Sequence, residues 1–147
     1  MAGVAKLFDG HIINSSNEEV DLNDEKYNGK IIGLYFSAHW CPPCRGFTPM
    51  LVEFYKTHGK DKNFEIIFIS SDRDERAFNE YCKDMPWLKL LYSERKKKEE
   101  LGKKFQITGI PTLLLLDGDS ADIICKDARD KIQHRDPRGE SFPWRTL

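Results

Sequence analysis

Apolar positions follow two rhythms along this chain. Three runs are almost unbroken: IIGLYFSA over residues 31–38, FEIIFISS over 64–71 and PTLLLLD over 111–117. Runs of this length suit strands buried on both faces of a sheet. Between them the spacing turns helical. Phe47, Met50, Leu51, Phe54 and Tyr55 mark one face over residues 43–58, and Gly59 stands where a cap is needed. Phe78, Tyr81 and Cys82 mark a second helix reaching about residue 84, with Asp72 or Asp74 to cap it and Pro86 to stop it. Leu101 and Phe105 give a third, charged helix over residues 95–105.

Shorter elements fill the gaps. Apolar residues 4–8 and 11–14 flank Asp9-Gly10, which predicts an N-terminal β-hairpin. Residues 22–28 predict a short helix closed by Gly29, and LKLLY, residues 88–92, a short extended segment. Gly118-Asp119 turns the third long strand into an antiparallel fourth over 122–126, and a last helix spans 128–134. Strands alternating with helices imply parallel βαβ units. The expected class is α/β, a three-layer α/β/α sandwich with a mixed central sheet. No linker, repeat or low-complexity tract interrupts the chain, so a single domain over 1–147 is expected.

Composition narrows the function. Hydrophobic residues are 39% and charged residues 32% of 147, with 23 basic against 24 acidic side chains. A formal net charge of -1 offers no positive field for nucleic acid or an anionic membrane. The first residues have no long apolar core, and no apolar stretch is long enough to span a bilayer. The expected location is the cytosol or nucleus, where thiols are mostly reduced. RKKKEELGKK, residues 95–104, is basic, but Glu99 and Glu100 interrupt it, and a solvated helix face is the expected reading.

The chemistry concentrates at WCPPC, residues 40–44. A CxxC between a buried strand and a helix places its sulfurs at the carboxyl edge of the sheet and against unpaired helix N–H groups. Both favour a thiolate at Cys41. Cys44, one turn on, is near enough to close a disulfide. Cys41 is therefore the expected nucleophile on a substrate disulfide and Cys44 the resolving thiol. Zinc would need a second ligand pair, and Cys82 and Cys125 are single and set in apolar patterns. Haem attachment would need His where Arg45 stands. No metal is expected. Pro42 and Pro43 remove two backbone donors and stiffen the loop, leaving the Cys44 N–H to face Cys41. That predicts a reducing potential.

WCPPC after a buried strand, Pro49 inside the next helix and Ile110-Pro111-Thr112 before a late strand resemble the thioredoxin superfamily. The finer resemblance is to its tryparedoxin and nucleoredoxin branch. It rests on YFSAHWCPPCRGFTPMLVEFY, FEIIFISSDRDE, MPWL, GIPTLLLLD and the closing DPRGESFPW, which together span nearly the whole chain. The resemblance implies the thioredoxin fold, with Pro111 as a cis-proline facing the CxxC. It makes Trp40 the aromatic flanking the nucleophile. Ile110 and Pro111 would offer backbone to an extended substrate, and Arg129 would lie near the active-site face. Thioredoxins carry a buried Asp six residues before the nucleophile. Here Tyr35 holds that place, as a core residue or a poor base, so that water or Asp72 would take the proton from Cys44.

The expected function is reduction of protein disulfides through the dithiol, with peroxidases as further acceptors. No organic cofactor is expected, because no nicotinamide or flavin fingerprint is present. Electrons would come from a separate reductase or a low-molecular-weight thiol, and a monomer is expected. The alternative is a nucleoredoxin-like, redox-sensitive binding module that regulates signalling partners. A peroxidase ranks last, because the chain lacks a PxxxTxxC arrangement.

Overall fold

The computed structural model of the protein describes residues 3–145. Helix α1 spans Gly3–Phe8, β1 Ile12–Ile13, β2 Ile31–Ser37, α2 Pro42–His58 and β3 Phe64–Ser70. They are followed by α3 Glu75–Cys82, β4 Leu88–Leu90, α4 Arg95–Lys104, β5 Thr112–Asp117 and β6 Ile123–Cys125. The last helix, α5, covers Ala128–Asp130 and widens into a π-helical segment over Lys131–Arg135. A 3₁₀ turn over Glu25–Tyr27 stands where a short helix was expected, with the Asp24 side chain accepting from the Lys26 N–H at 3.0 Å.

The six strands form one mixed sheet in the order β1-β4-β3-β2-β5-β6. β2, β3 and β4 are parallel, while β1, β5 and β6 run antiparallel to their neighbours. Side-chain alternation sorts the three long strands onto two cores. Tyr35, Phe64, Ile66, Phe68, Leu113 and Leu115 face α2, α3 and the C-terminal segment. Ile32, Leu34, Phe36, Ile67, Ile69, Leu114 and Leu116 face α1 and α4. Both faces are covered, which is why these runs carry no polar alternation. The result is the expected three-layer sandwich.

The expected N-terminal hairpin is absent. Residues 3–8 are helical, and only Ile12–Ile13 extend, pairing with β4 at the sheet edge instead of with residues 4–8. Val4, Ala5 and Phe8 lie at helical spacing, and as a helix they reach the α4-side core together. Asp9-Gly10 does turn the chain, with φ of 51° and 89°, but as the left-handed end of a helix. The start of α1 is bonded to the β5–β6 turn: Gly3 N–H donates to the Asp119 carbonyl at 2.7 Å, and Val4 N–H to that of Gly118 at 3.2 Å. A Cβ on Gly3 would stand 2.5 Å from the Ser120 carbonyl carbon, so only glycine allows this approach.

Candidate active site

Strand β2 ends at Ser37, and after four intervening residues α2 begins at Pro42. Cys41 caps that helix in an extended conformation, with its Sγ accepting from the Cys44 N–H at 3.4 Å. Pro42 and Pro43 fill the first helical positions without donors, so the Cys44 N–H is the first one available to the sulfur. Neither cysteine is joined in a disulfide. Cys41 keeps 5% of its surface and Cys44 none. Burial pushes the Cys44 thiol up to about 11. Cys41 adds to that rise, while the Ser37 hydroxyl and the Ala38 N–H oppose it.

The loop before β5 closes over the pair. The Ile110–Pro111 bond is cis, and the Ile110 carbonyl lies 3.9 Å from Cys41 Sγ. Ile110 also packs on the Ala38, Cys41 and Cys44 cluster. Trp40 is 46% exposed yet held. Its Nε1 donates to the Ser71 carbonyl at 3.0 Å, and the Arg73 guanidinium lies 4.9 Å from its ring centre. A cleft of about 470 Å³ opens beside Trp40 and Ile110 and continues over Ile107 and Lys103.

Asp72 is committed to the loop. Its Oδ1 accepts from the His39 N–H at 2.7 Å and its Oδ2 from the Ser70 hydroxyl at 2.6 Å, with 4% of its surface exposed. Oδ1 thus holds the backbone before the nucleophile and Oδ2 the Ser70 side chain at the end of β3, and neither oxygen is bonded to Cys44. The helix cap is instead Asp74, which accepts from the Ala77 N–H at 2.8 Å. Arg95 braces the same strand end, donating to the carbonyls of Ser70 at 2.8 Å and Tyr92 at 2.6 Å. The His39 ring packs 5.4 Å from that of Tyr81, at the mouth of a second cleft of about 520 Å³ shared with Arg45 and Glu80.

Tyr35 is core. It is fully buried between Phe47, Phe68 and Trp87, and burial holds its hydroxyl far above the ordinary tyrosine range. Its OH lies 2.6 Å from Thr48 Oγ1, which also meets the Tyr81 OH at 2.6 Å and donates to the Cys44 carbonyl at 2.9 Å. Ser37 Oγ joins Tyr81 OH at 2.7 Å. This set of four buried hydroxyls escaped the sequence reading. Thr48 offered the one clue, a threonine four residues after Cys44 that can bond back to its carbonyl.

Arg129 is the second residue of α5, and its Nε donates to Gln133 Oε1 at 2.8 Å. Strand β6 returns toward the end of the sheet that carries Cys41, but no recorded bond of Arg129 reaches Cys41 or Trp40. Cys82 and Cys125 are buried apart, their thiols pushed by burial up to about 12 and about 11. Among the described residues no three His, Cys, Asp or Glu side chains gather to hold a metal ion. No described helix is long and apolar enough to cross a membrane.

The family model described as Thioredoxin-like matches residues 28–122, from the turn before β2 to the turn after β5. Tryparedoxin of Trypanosoma brucei brucei is 46% identical over 145 residues, covering 98% of this chain and 99% of that protein. Human nucleoredoxin is 41% identical over 129 residues, 87% of this chain but 29% of its own length. The solved structure of tryparedoxin II complexed with glutathionylspermidine superposes with a TM-score of 0.93 at 39% identity, covering 99% of this chain and all of that one. With a cysteine pair at a helix start beside a cis-proline, and these likenesses over nearly its whole length, the chain belongs to the thioredoxin-like family of dithiol oxidoreductases, in its tryparedoxin and nucleoredoxin branch.

Proposed function

We propose that the protein reduces protein disulfides, with Cys41 as nucleophile and Cys44 as resolving thiol. The observation that carries this is the asymmetry of the pair. Cys41 caps α2, takes the Cys44 N–H and keeps a little surface, while Cys44 is sealed and its thiol pushed up to about 11. A nucleophile must meet the substrate, and a resolving thiol need meet only its neighbour. Trp40 and the Ile110 and Pro111 backbone would flank an extended substrate beside Cys41. Arg129 would bear on it from α5.

The electron donor is inferred to be a low-molecular-weight thiol. The support is the relative's structure with glutathionylspermidine, a thiol conjugate. Peroxidases are the acceptors to assay beside general protein disulfides. The test is insulin reduction with dithiothreitol, then with glutathionylspermidine, glutathione, or thioredoxin reductase with NADPH as donor. Cys41→Ser and Cys44→Ser are expected to lose turnover, with a trapped mixed disulfide in Cys44→Ser alone. Undiminished turnover in Cys41→Ser would refute the assignment.

A second reading, a redox-gated binding module, draws support from the likeness to nucleoredoxin, of which this chain spans under a third. Pull-downs at controlled redox poise separate it from the first. Partners that bind the oxidised and the reduced native protein equally well would exclude gating by this pair.

A further inference from the structure

Cys44 must lose a proton inside a pocket that offers it no carboxylate. Asp72 spends both oxygens on His39 and Ser70, and burial holds Tyr35 and Tyr81 above the ordinary tyrosine range. The ionisable groups around Cys44 are Cys41 at the start of α2 and Tyr81 from α3, with Tyr35 of β2 one hydroxyl further away. The loop carrying Ile110 and Pro111 adds none.

The hydroxyl directions follow from counting hydrogens. Thr48 has one, and it goes to the Cys44 carbonyl, which can only accept. Tyr35 and Tyr81 must therefore both donate to Thr48. With its hydrogen spent there, Tyr81 can only accept from Ser37. Three of the four hydroxyls are locked. Ser37 is the one whose hydrogen can turn: it is fully buried at the end of β2, bonded to Tyr81, and its hydroxyl bears on the Cys44 thiol and the Tyr35 hydroxyl as well.

We propose that the Ser37 hydroxyl is the catalytic donor of the resolving step, turning its hydrogen from Tyr81 to the Cys44 sulfur as that sulfur becomes a thiolate. The proposal rests on the dithiol reading given above. The Cys41 thiolate attacks a substrate R–S–S–R′, the S–S bond breaks, and R′S⁻ departs with the electron pair. Cys44 gives its proton to R′S⁻, forming R′SH. The Cys44 thiolate, held by Ser37 and the Ala38 N–H, then attacks Cys41 Sγ. The Cys41–Cys44 bond forms, the bond from Cys41 to R breaks, and RS⁻ leaves to take a proton from water. A neutral hydrogen bond to Tyr81 is exchanged for a charge-assisted one to sulfur, the stronger kind. One rotation suffices, and nothing else in the network moves.

The test titrates Cys44 in a Cys41→Ser background, by alkylation against pH read on the Cys44 peptide by mass spectrometry. With both cysteines present, rapid quench then follows the mixed disulfide. Ser37→Ala is expected to raise the Cys44 titration by about one unit, a roughly tenfold loss of thiolate, and to lengthen the mixed disulfide's life about tenfold. Attack of Cys41 and departure of R′S⁻ in the first step should keep their rate. Ser37→Thr, which retains the hydroxyl, should stay within about twofold of the native protein on that scale. An unchanged Ser37→Ala overturns the proposal. So does equal impairment of Ala and Thr, since the effect would then follow packing and not the hydroxyl. Full turnover in Cys41→Ser would instead overturn the dithiol reading beneath it, whatever Ser37 does.

Discussion

Thr48 has one hydroxyl hydrogen and three polar neighbours, and this makes it the centre of the buried network. It accepts from Tyr35 and Tyr81 and donates to the Cys44 carbonyl. Losing a partner costs most when buried groups are left unsatisfied. Thr48→Val strands two tyrosine hydroxyls and is expected to cost about 2–4 kcal/mol. Tyr35→Phe removes a single donor while Thr48 keeps its other bonds, and is expected to cost about 1 kcal/mol. Urea denaturation of both variants checks the ranking, and equal costs would contradict the shared-acceptor arrangement. Disulfide reduction by Tyr35→Phe near pH 7 should change less than about threefold, because a lost general base would cost about a hundredfold or more. Trp40 shows a different kind of dependence. Its indole rests on Ser71 and Arg73, residues of the loop after β3, so the face beside the nucleophile is set from a neighbouring strand.

Elements were legible where burial imposed an unambiguous pattern. Strands β2, β3 and β5 could be read as apolar runs because helices cover both faces of the sheet. Helix α2 could be read because Phe47, Leu51 and Phe54 recur at its period. Helix α1 could not: five residues before Asp9-Gly10 carry too few apolar positions to tell a helix from a strand. What decides is a seat in the α4-side core and on the β5–β6 turn, whose residues run as far along the chain as Asp119. Phe8 is completely buried in that seat. Phe8→Ala should therefore cost about 3–5 kcal/mol in urea denaturation, where a solvent-facing hairpin position would cost a fraction of that. The candidate site divides in the same way. Cys41, Cys44, Trp40 and Pro111 stand in motifs, so local sequence exposes them. The Ser37–Tyr81 and Thr48–Tyr81 bonds join residues 44 and 33 positions apart, a separation that no local pattern records. The loop role of Asp72 was hidden for a related reason, because its partner His39 belongs to another strand's end.

Across the whole molecule, three sealed thiols make stability depend on alkaline pH. Burial holds Cys44, Cys82 and Cys125 up to about 11, 12 and 11, whereas a free cysteine ionises near 8.5. The folded state binds these protons more tightly than the unfolded chain. Their contribution is therefore complete below about pH 8.5 and drains away as pH rises toward 11–12. In the oxidised protein Cys44 has no proton to hold. Between pH 8 and pH 10 the reduced form is expected to lose about 1–2 kcal/mol more than the oxidised form, read from urea midpoints at each pH. Equal slopes for the two forms would contradict a sealed Cys44. The bonds from Gly3 and Val4 to the Asp119 and Gly118 carbonyls also bear on how the chain is made. Helix α1 leaves the ribosome well before the β5–β6 turn, and six residues are too few to hold a helix alone. Its seat is not complete until the β5–β6 turn has been synthesised. Helix α1 is thus made long before it can settle, and the part of the apolar sheet face that it covers beside α4 waits for residues about 110 positions further on.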